Sequence, residues 1–522
     1  LHNVFFWSPL YTAYYGTILK VTGDPVSATL VHRLILAFGL TALVLALARR
    51  LLPAAAAWLV AAWWAVLPVN FDTLYEVHLF GAIPALVAAL AVCRWPGHAG
   101  RAAALAVLGT SAVLVRNEYG FAALLFALVC LWSLVREVGR LRSLRAGVPL
   151  LRPYVAAGLA ATLAIGFFYS RSTVKFPILA DIFNQRRTLN YCQAFAFNYS
   201  QRHPEWPGDP FTGCGGLMVQ VFGVEPGTAG ESIGFVEAYR RNPDEVRRYL
   251  EWNVKLIPIG IQLALFNAAS GNASPDYVEV PLGRTAPWIL TIACLMAILG
   301  GLWAVQQQPE VWKRWRDRRA WPLAVLACCC VGVLLVMVQQ RPRPSYMFPL
   351  TFTVMAAIVL CAWALLRRLR AAGVLAAGLP LFFVALLVFA PSPYAGKQTP
   401  LADIYRRLEP LSTDIAAGAA AVPAYQTELC HYLAIPGCRM LGYWTTLRPL
   451  AQLSGSFAGA LSGSDVSVLY ADRPMLNDPV TADFLRNPGG WSRVGGKEGC
   501  WAAFRRTPPG SGPYPASLEP ES

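Results

Sequence analysis

The stretch Arg116-Asn117-Glu118 lies between two apolar runs, Ala102–Val115 and Tyr119–Val135. Read as a single membrane span, these residues would place two full charges at mid-bilayer, each costing about 2.5–3.5 kcal/mol on the insertion scale. Two helices that meet at a membrane face avoid that cost. The sequence therefore predicts a helical hairpin with its charged triplet at the water boundary. There an arginine can grip a phosphate in fork geometry while a carboxylate accepts a proton or orients a hydroxyl. The same triplet also suits a structural ion pair that caps the turn.

Working outward, several other apolar runs approach the roughly 20 residues that cross a bilayer. The 522 residues are 56% hydrophobic and only 14% charged, with a mean hydropathy of +0.44. That composition marks a polytopic helical membrane protein. The net charge of +15 does not point to nucleic acid, because the basic residues fall in short clusters between spans. Such charge sets topology and touches anionic lipid.

Ten spans are expected, at about Leu30–Ala48, Pro53–Val69, Val77–Cys93, Ala102–Val115, Tyr119–Val135, Pro153–Ser170, Ala286–Val305, Trp321–Gln339, Ser345–Leu366 and Val374–Pro391. Placing alternate connectors on opposite sides gathers Arg49-Arg50, Arg94 and Arg101, the Arg136–Arg152 cluster, Lys313–Arg319 and Arg367–Arg370 on one side. The positive-inside rule makes that side cytoplasmic. The other side receives residues 1–29 as an interfacial amphipathic segment, the short loop Asn70–Glu76, Arg116–Glu118, a loop domain at 171–285, the connector Gln340–Pro344 and a small α/β domain at 392–506. Residues 507–522, rich in Pro, Gly and Ser, read as a disordered tail. An even span count with both ends outside implies one further span before Leu1.

Within the outer loop, Asn242-Pro243-Asp244-Glu245 opens a helix in which Val246, Tyr249, Leu250, Asn253 and Leu256 recur at helical spacing and which leads into the apolar Leu256–Phe266. In the tail, Leu401–Ala421 reads as helix, and Val466–Tyr470 and Trp501–Phe504 as strands. Cysteines within spans are packing residues. An oxidising outer compartment permits Cys192–Cys214 and Cys430–Cys438 disulfides, leaving Cys500, though spacing does not fix the pairing.

The opening Trp7-Ser8-Pro9-Leu10-Tyr11, the Gly23-Asp24 break, Arg33, Ala48-Arg49-Arg50, Arg116-Asn117-Glu118 and Arg343-Pro344-Ser345-Tyr346 occur in this order. Together they resemble the bacterial protein-mannosyltransferase-like family, GT-C membrane glycosyltransferases similar to the aminoarabinose transferases. The resemblance covers roughly Leu1–Leu366. It implies transfer of a sugar, with inversion, from a polyprenyl-phosphate donor to an extracytoplasmic acceptor at a bacterial inner membrane. It also implies that the family's main catalytic carboxylate precedes Leu1.

Such chemistry needs a carboxylate to deprotonate the acceptor, cations for the departing phosphate and an apolar groove for the lipid. Glu118, Asp72 and Glu76 are the candidate catalytic carboxylates; Asp72 and Glu76 share one face if helical. Arg116, Arg341, Arg343 and Arg33 are the candidate phosphate ligands. Arg341 and Arg343 break the charge pattern locally, and interfacial anchoring is their competing role. His32 stands beside Arg33, and Asp181, Arg186, Arg187, His203, Glu205 and Asp209 are further polar residues of the outer loop. No Asp-x-Asp cluster or metal-ligand spacing occurs, so no divalent cation is inferred. Asn272-Ala273-Ser274 matches a glycosylation sequon. Competing functions are an O-antigen-ligase-like glycan transferase and a transporter or lipid flippase, although transporters place charge at mid-membrane and repeat internally.

Overall fold

The computed structural model describes residues 8–23, 25–67, 76–141, 144–170, 176–206, 208, 210, 213–224, 233–271, 273–275, 285–369, 373, 378, 407–422, 439–443 and 447–507. Two compact units result, one of Leu1–Ile18 with Val31–Ala395, the other of Leu19–Leu30 with Gly396–Ser522.

Helices α1 (Pro9–Thr22) and α2 (Pro25–Leu51) belong to the larger unit except for Leu19–Leu30, which groups with the smaller; the larger unit also carries α3 (Ala54–Val66), α4 (Glu76–Phe80), α5 (Ile83–Arg94), α6 (Gly97–Leu114), α7 (Glu118–Leu141), α8 (Leu144–Ser170), α9 (Phe176–Arg202), α10 (Cys214–Phe222), α11 (Phe235–Arg241), α12 (Pro243–Phe266), α13 (Thr285–Gln306), α14 (Pro309–Gln339) and α15 (Phe348–Arg368). Among the described residues, seven helical stretches are long and apolar enough to cross a membrane: Ser27–Leu51, Val77–Arg94, Glu118–Arg140, Val148–Ser170, Thr285–Gln306, Pro309–Gln339 and Phe348–Arg368. The protein is therefore a multi-pass helical membrane protein.

Seven of the ten expected spans correspond to these stretches. The second is a shorter helix: α3 has 13 residues, about 20 Å against a hydrocarbon core of about 30 Å. The fourth lies within α6, which packs against α5, α7 and α8. The tenth, 374–391, lies outside the described residues.

The third span is not one uninterrupted helix. Its two pieces, α4 and α5, meet at Gly81-Ala82. Pro84 lacks the N–H that would bond to the Phe80 carbonyl, and its ring crowds that carbonyl. The Gly81 carbonyl instead accepts a hydrogen bond from the Tyr119 hydroxyl. A side chain at residue 81 would meet Arg116 Cδ at 2.5 Å.

Basic connectors meet at one end of the bundle. Arg319 Nε donates to the Arg50 carbonyl at 3.1 Å, and Trp315 Nε1 to the Leu51 carbonyl at 3.1 Å. At the opposite end, α9 to α12 form a helical module around Phe195, Met218, Val246 and Tyr249. A Cys192–Cys214 disulfide ties α9 to α10, realising one of the two pairings that the sequence permits. Asn242 caps α12 as its sequence implies, accepting from the Glu245 N–H at 3.2 Å. The half-buried Arg202 and the buried Glu245 pair at 2.6 Å beneath that cap. Removing the disulfide with Cys192→Ser and Cys214→Ser is expected to cost the module about 2–4 kcal/mol. Limited proteolysis would then cut within 176–266 at least several-fold faster, with the remaining spans resistant.

The smaller unit contains a five-stranded sheet in the order β2-β1-β3-β5-β4, from β1 (Ala419–Val422), β2 (Arg439–Gly442), β3 (Val466–Asp472), β4 (Trp491–Lys497) and β5 (Trp501–Arg506). β1 runs parallel to β2 and β3, while β5 pairs antiparallel with β3 and β4. Strands β3 and β5 contain the two runs read as strands from the sequence. The expected helix over 401–421 is only partly present: helix covers Ser412–Ala417, and Ala419–Val422 is strand. Alanine favours helix in isolation, but here all four strand residues are buried in the sheet interior, which overrides that preference. The switch occurs at Gly418, where a side chain would meet the Asp465 carbonyl at 2.7 Å. Residues 401–406, Cys430 and Cys438 lie outside the described residues, as do 508–522.

Candidate functional site

The hairpin turn is tight, because α6 ends at Leu114 and α7 begins at Glu118. The N–H groups of Val115 and Arg116 both bond to the Ser111 carbonyl, at 2.9 and 2.8 Å, and Tyr119 N–H bonds to the Arg116 carbonyl at 3.1 Å. This geometry turns Asn117 outward and folds its two neighbours inward. Arg116 Nε and Glu118 Oε1 form a direct ion pair, with only 13% and 16% of their side chains exposed.

Across from the hairpin, Gln340–Pro344 connects α14 to a 3₁₀ turn, Pro344–Tyr346, that leads into α15. Arg341 and Arg343 are 3% and 7% exposed, so both side chains lie within the protein and not on its surface. The Arg343 guanidinium lies 5.5 Å from the centre of the Tyr346 ring, and the Arg116 guanidinium lies 5.0 Å from the same ring. The His78 ring of α4 packs against this ring at a tilt of 54°, with centres 5.0 Å apart. Tyr346 thus gathers the broken third span, the hairpin and the connector. Cation–π attraction of about 0.5–2 kcal/mol per pair favours that arrangement.

The pocket between these elements is lined by His78, Gly81, Arg116, Glu118, Ser345 and Tyr346 over a floor from α7, α14 and α15. Its volume is about 10 Å³, room for one water. Ser345 Oγ is fully buried there and has no hydrogen-bond partner among the described residues. In this conformation the site is closed, and the Arg116–Glu118 pair forms part of the closure.

Two features seat the connector. Tyr249 of α12 donates its hydroxyl to the Gln339 carbonyl at 2.8 Å, and Asn253 Nδ2 donates to the Val338 and Gln340 carbonyls at 2.9 and 3.3 Å, where α14 passes into the connector. About two turns further on, Gly260 lets the α12 backbone approach Pro342, since a Cβ there would stand 2.3 Å from the Pro342 carbonyl oxygen. The disulfide-tied module therefore positions the connector that carries Arg341 and Arg343.

The sequence candidates divide accordingly. Arg116 and Glu118 line the pocket together, and Arg343 meets them only through the Tyr346 ring, outside the pocket lining. Arg341 points away, its guanidinium 4.4 Å from the centre of the Phe197 ring. Arg33, half-buried on α2, does not line the pocket; neighbouring His32 is buried and bonds the Tyr11 hydroxyl at 3.1 Å. Glu76 opens α4, two residues before His78, but its side chain lies outside the described residues, as does all of Asp72. Asp209 and Asn272 also lie outside, with the side chains of Asp181, Arg186 and Arg187. His203 and Glu205 pair at 2.9 Å, and Glu205 is largely exposed. Among the described residues no group of three metal-ligating side chains occurs.

Two residues of the pocket, His78 and Tyr119, were not singled out from the sequence, and Tyr346 was named only as the end of the Arg343-Pro344-Ser345-Tyr346 motif, without a role. A signal for the first two was present in Pro84, which marks a break in an otherwise continuous apolar run. No family model, curated protein or solved structure matches the chain.

Proposed function

We propose that this multi-pass membrane protein is a glycosyltransferase that moves a sugar from a polyprenyl-phosphate donor to an acceptor on the outer side of a bacterial inner membrane. The observation that carries this reading is the convergence of Arg116, Arg343 and Glu118 on Tyr346, at the bundle end opposite the basic connectors. A disulfide at that end favours an oxidising, extracytoplasmic compartment. The ordered motifs that resemble GT-C enzymes support the same class.

Arg116 and Arg343 hold the donor phosphate and stabilise the charge it gains as the sugar–oxygen bond breaks. When the phosphate takes Arg116, it releases Glu118 from its ion pair. Glu118 then orients the acceptor hydroxyl and takes its proton as the new bond forms at the opposite face of the sugar. Arg341, against Phe197, steadies the connector. Donor entry requires the closed pocket to open, so binding and the release of Glu118 are one event.

The test is transfer by the purified protein, reconstituted in lipid, from a panel of radiolabelled polyprenyl-phosphate sugars to membrane-extract acceptors. Transfer from a monophosphate donor supports the proposal. Transfer only of preassembled glycan from a lipid diphosphate would reassign the protein as a ligase, and flux of lipid or solute without any transfer would reassign it as a transporter.

A further inference from the structure

A second recess lies at the basic end of the bundle, on the lipid-facing side. Residues from α5 (Val87, Leu90, Ala91, Arg94), α6 (Ala102, Ala103, Ala106, Val107) and α8 (Pro153, Ala157, Ala160) enclose about 640 Å³ of open groove. The residues that α6 contributes are all alanine and valine. Volumes of about 300–1,000 Å³ are usual for small-molecule sites.

We infer that this groove holds one acyl chain of an anionic phospholipid from the leaflet at the basic end, with the headgroup phosphate on Arg94. Two observations select this occupant. The first is charge. Arg94 lines the groove and Arg152 adjoins its Pro153 wall; both are exposed, and neither has an acidic partner among the described residues. Exposed Trp95 lines the rim beside Arg94, where an indole sits well at headgroup level.

The second is length. The stretch of α6 that lines the groove, Ala99 to Val107, rises about 12 Å. That matches one leaflet of a core about 30 Å thick, and it starts at the arginine level. A partner helix packing on small residues would use a stripe along the full span. The groove reaches only part-way, as a lipid chain does. The site is distinct from the pocket around Tyr346, which lies at the other end of the bundle.

The test is native mass spectrometry of the full chain, extracted from nanodiscs of 3:1 phosphatidylcholine and phosphatidylglycerol. The wild type is expected to retain phosphatidylglycerol about tenfold over its share of the mixture. Arg94→Gln with Arg152→Gln, both at exposed positions, should bring that ratio to about one, while Ala103→Phe, which fills the groove, should remove the bound lipid of either type. Melting within a few degrees of wild type confirms that the arginine variant is folded. Equal enrichment in the arginine variant would overturn the proposal, as would no enrichment in the wild type. Efficient Ala103→Cys crosslinking between two copies would do the same, by assigning the groove to a second copy of the chain.

Discussion

Replacing Arg116 by alanine is expected to lower sugar transfer about 10²- to 10³-fold, the usual loss when one preorganised donor to a developing anion is removed. Lysine should recover only part of it, because it places a point charge where a planar fork grips two oxygens. Loss of activity alone does not separate chemistry from architecture, since Arg116→Ala also leaves the largely buried Glu118 carboxylate without its partner. An uncompensated buried charge costs about 3–5 kcal/mol. The double variant Arg116→Ala/Glu118→Gln removes that charge and should regain most of the lost stability. Transfer and melting temperature measured on both variants decide the matter. If transfer returns with stability, the pair is architectural; if transfer stays low in a protein that melts normally, the two residues serve the reaction.

Gly260→Val is expected to reduce transfer at least tenfold without touching any charged group. The new side chain would occupy the space of the Pro342 carbonyl and push the connector away from α12. Arg343 moves with it, so the two guanidiniums no longer share the Tyr346 ring. Overpacking of this kind costs about 1–3 kcal/mol, which a well-packed bundle tolerates. Gly109→Val is the matched control, since Gly109 on α6 has open space where its side chain would go. Equal transfer by the two valine variants would show that the connector's position is immaterial to the reaction.

How far these features could be read from the sequence depends on the range of the interaction behind each. The hairpin was legible because two charges inside 34 apolar-flanked residues leave membrane physics few alternatives, and its turn falls at Arg116–Glu118. The start of α12 was equally legible, since Asn242 and Pro243 act within one turn of themselves. The pairing of Cys192 with Cys214 was permitted by compartment and proximity but selected only by the folding of α9 against α10. The break before Pro84 was hidden by apolar residues on both sides, which a span-length reading passes over. Tyr346 was hidden for another reason. Its partners Arg116 and His78 are more than 200 residues away in sequence, and no local periodicity encodes a contact of that kind. The strand at Ala419–Val422 was misread as helix because burial between two parallel neighbours, not the residues' own preference, sets its conformation.

The seating of the connector on α12 bears on biogenesis. Chains are made from the N-terminus, and early segments fold while later ones are still being synthesised. The module from α9 to α12 is complete well before Arg341 and Arg343 leave the ribosome. With its disulfide closed, it presents Tyr249, Asn253 and the bare backbone at Gly260 as a ready template. These two arginines are thus received by a surface that oxidation has already set, and a cell that fails to oxidise Cys192 and Cys214 would accumulate inserted but unfinished protein.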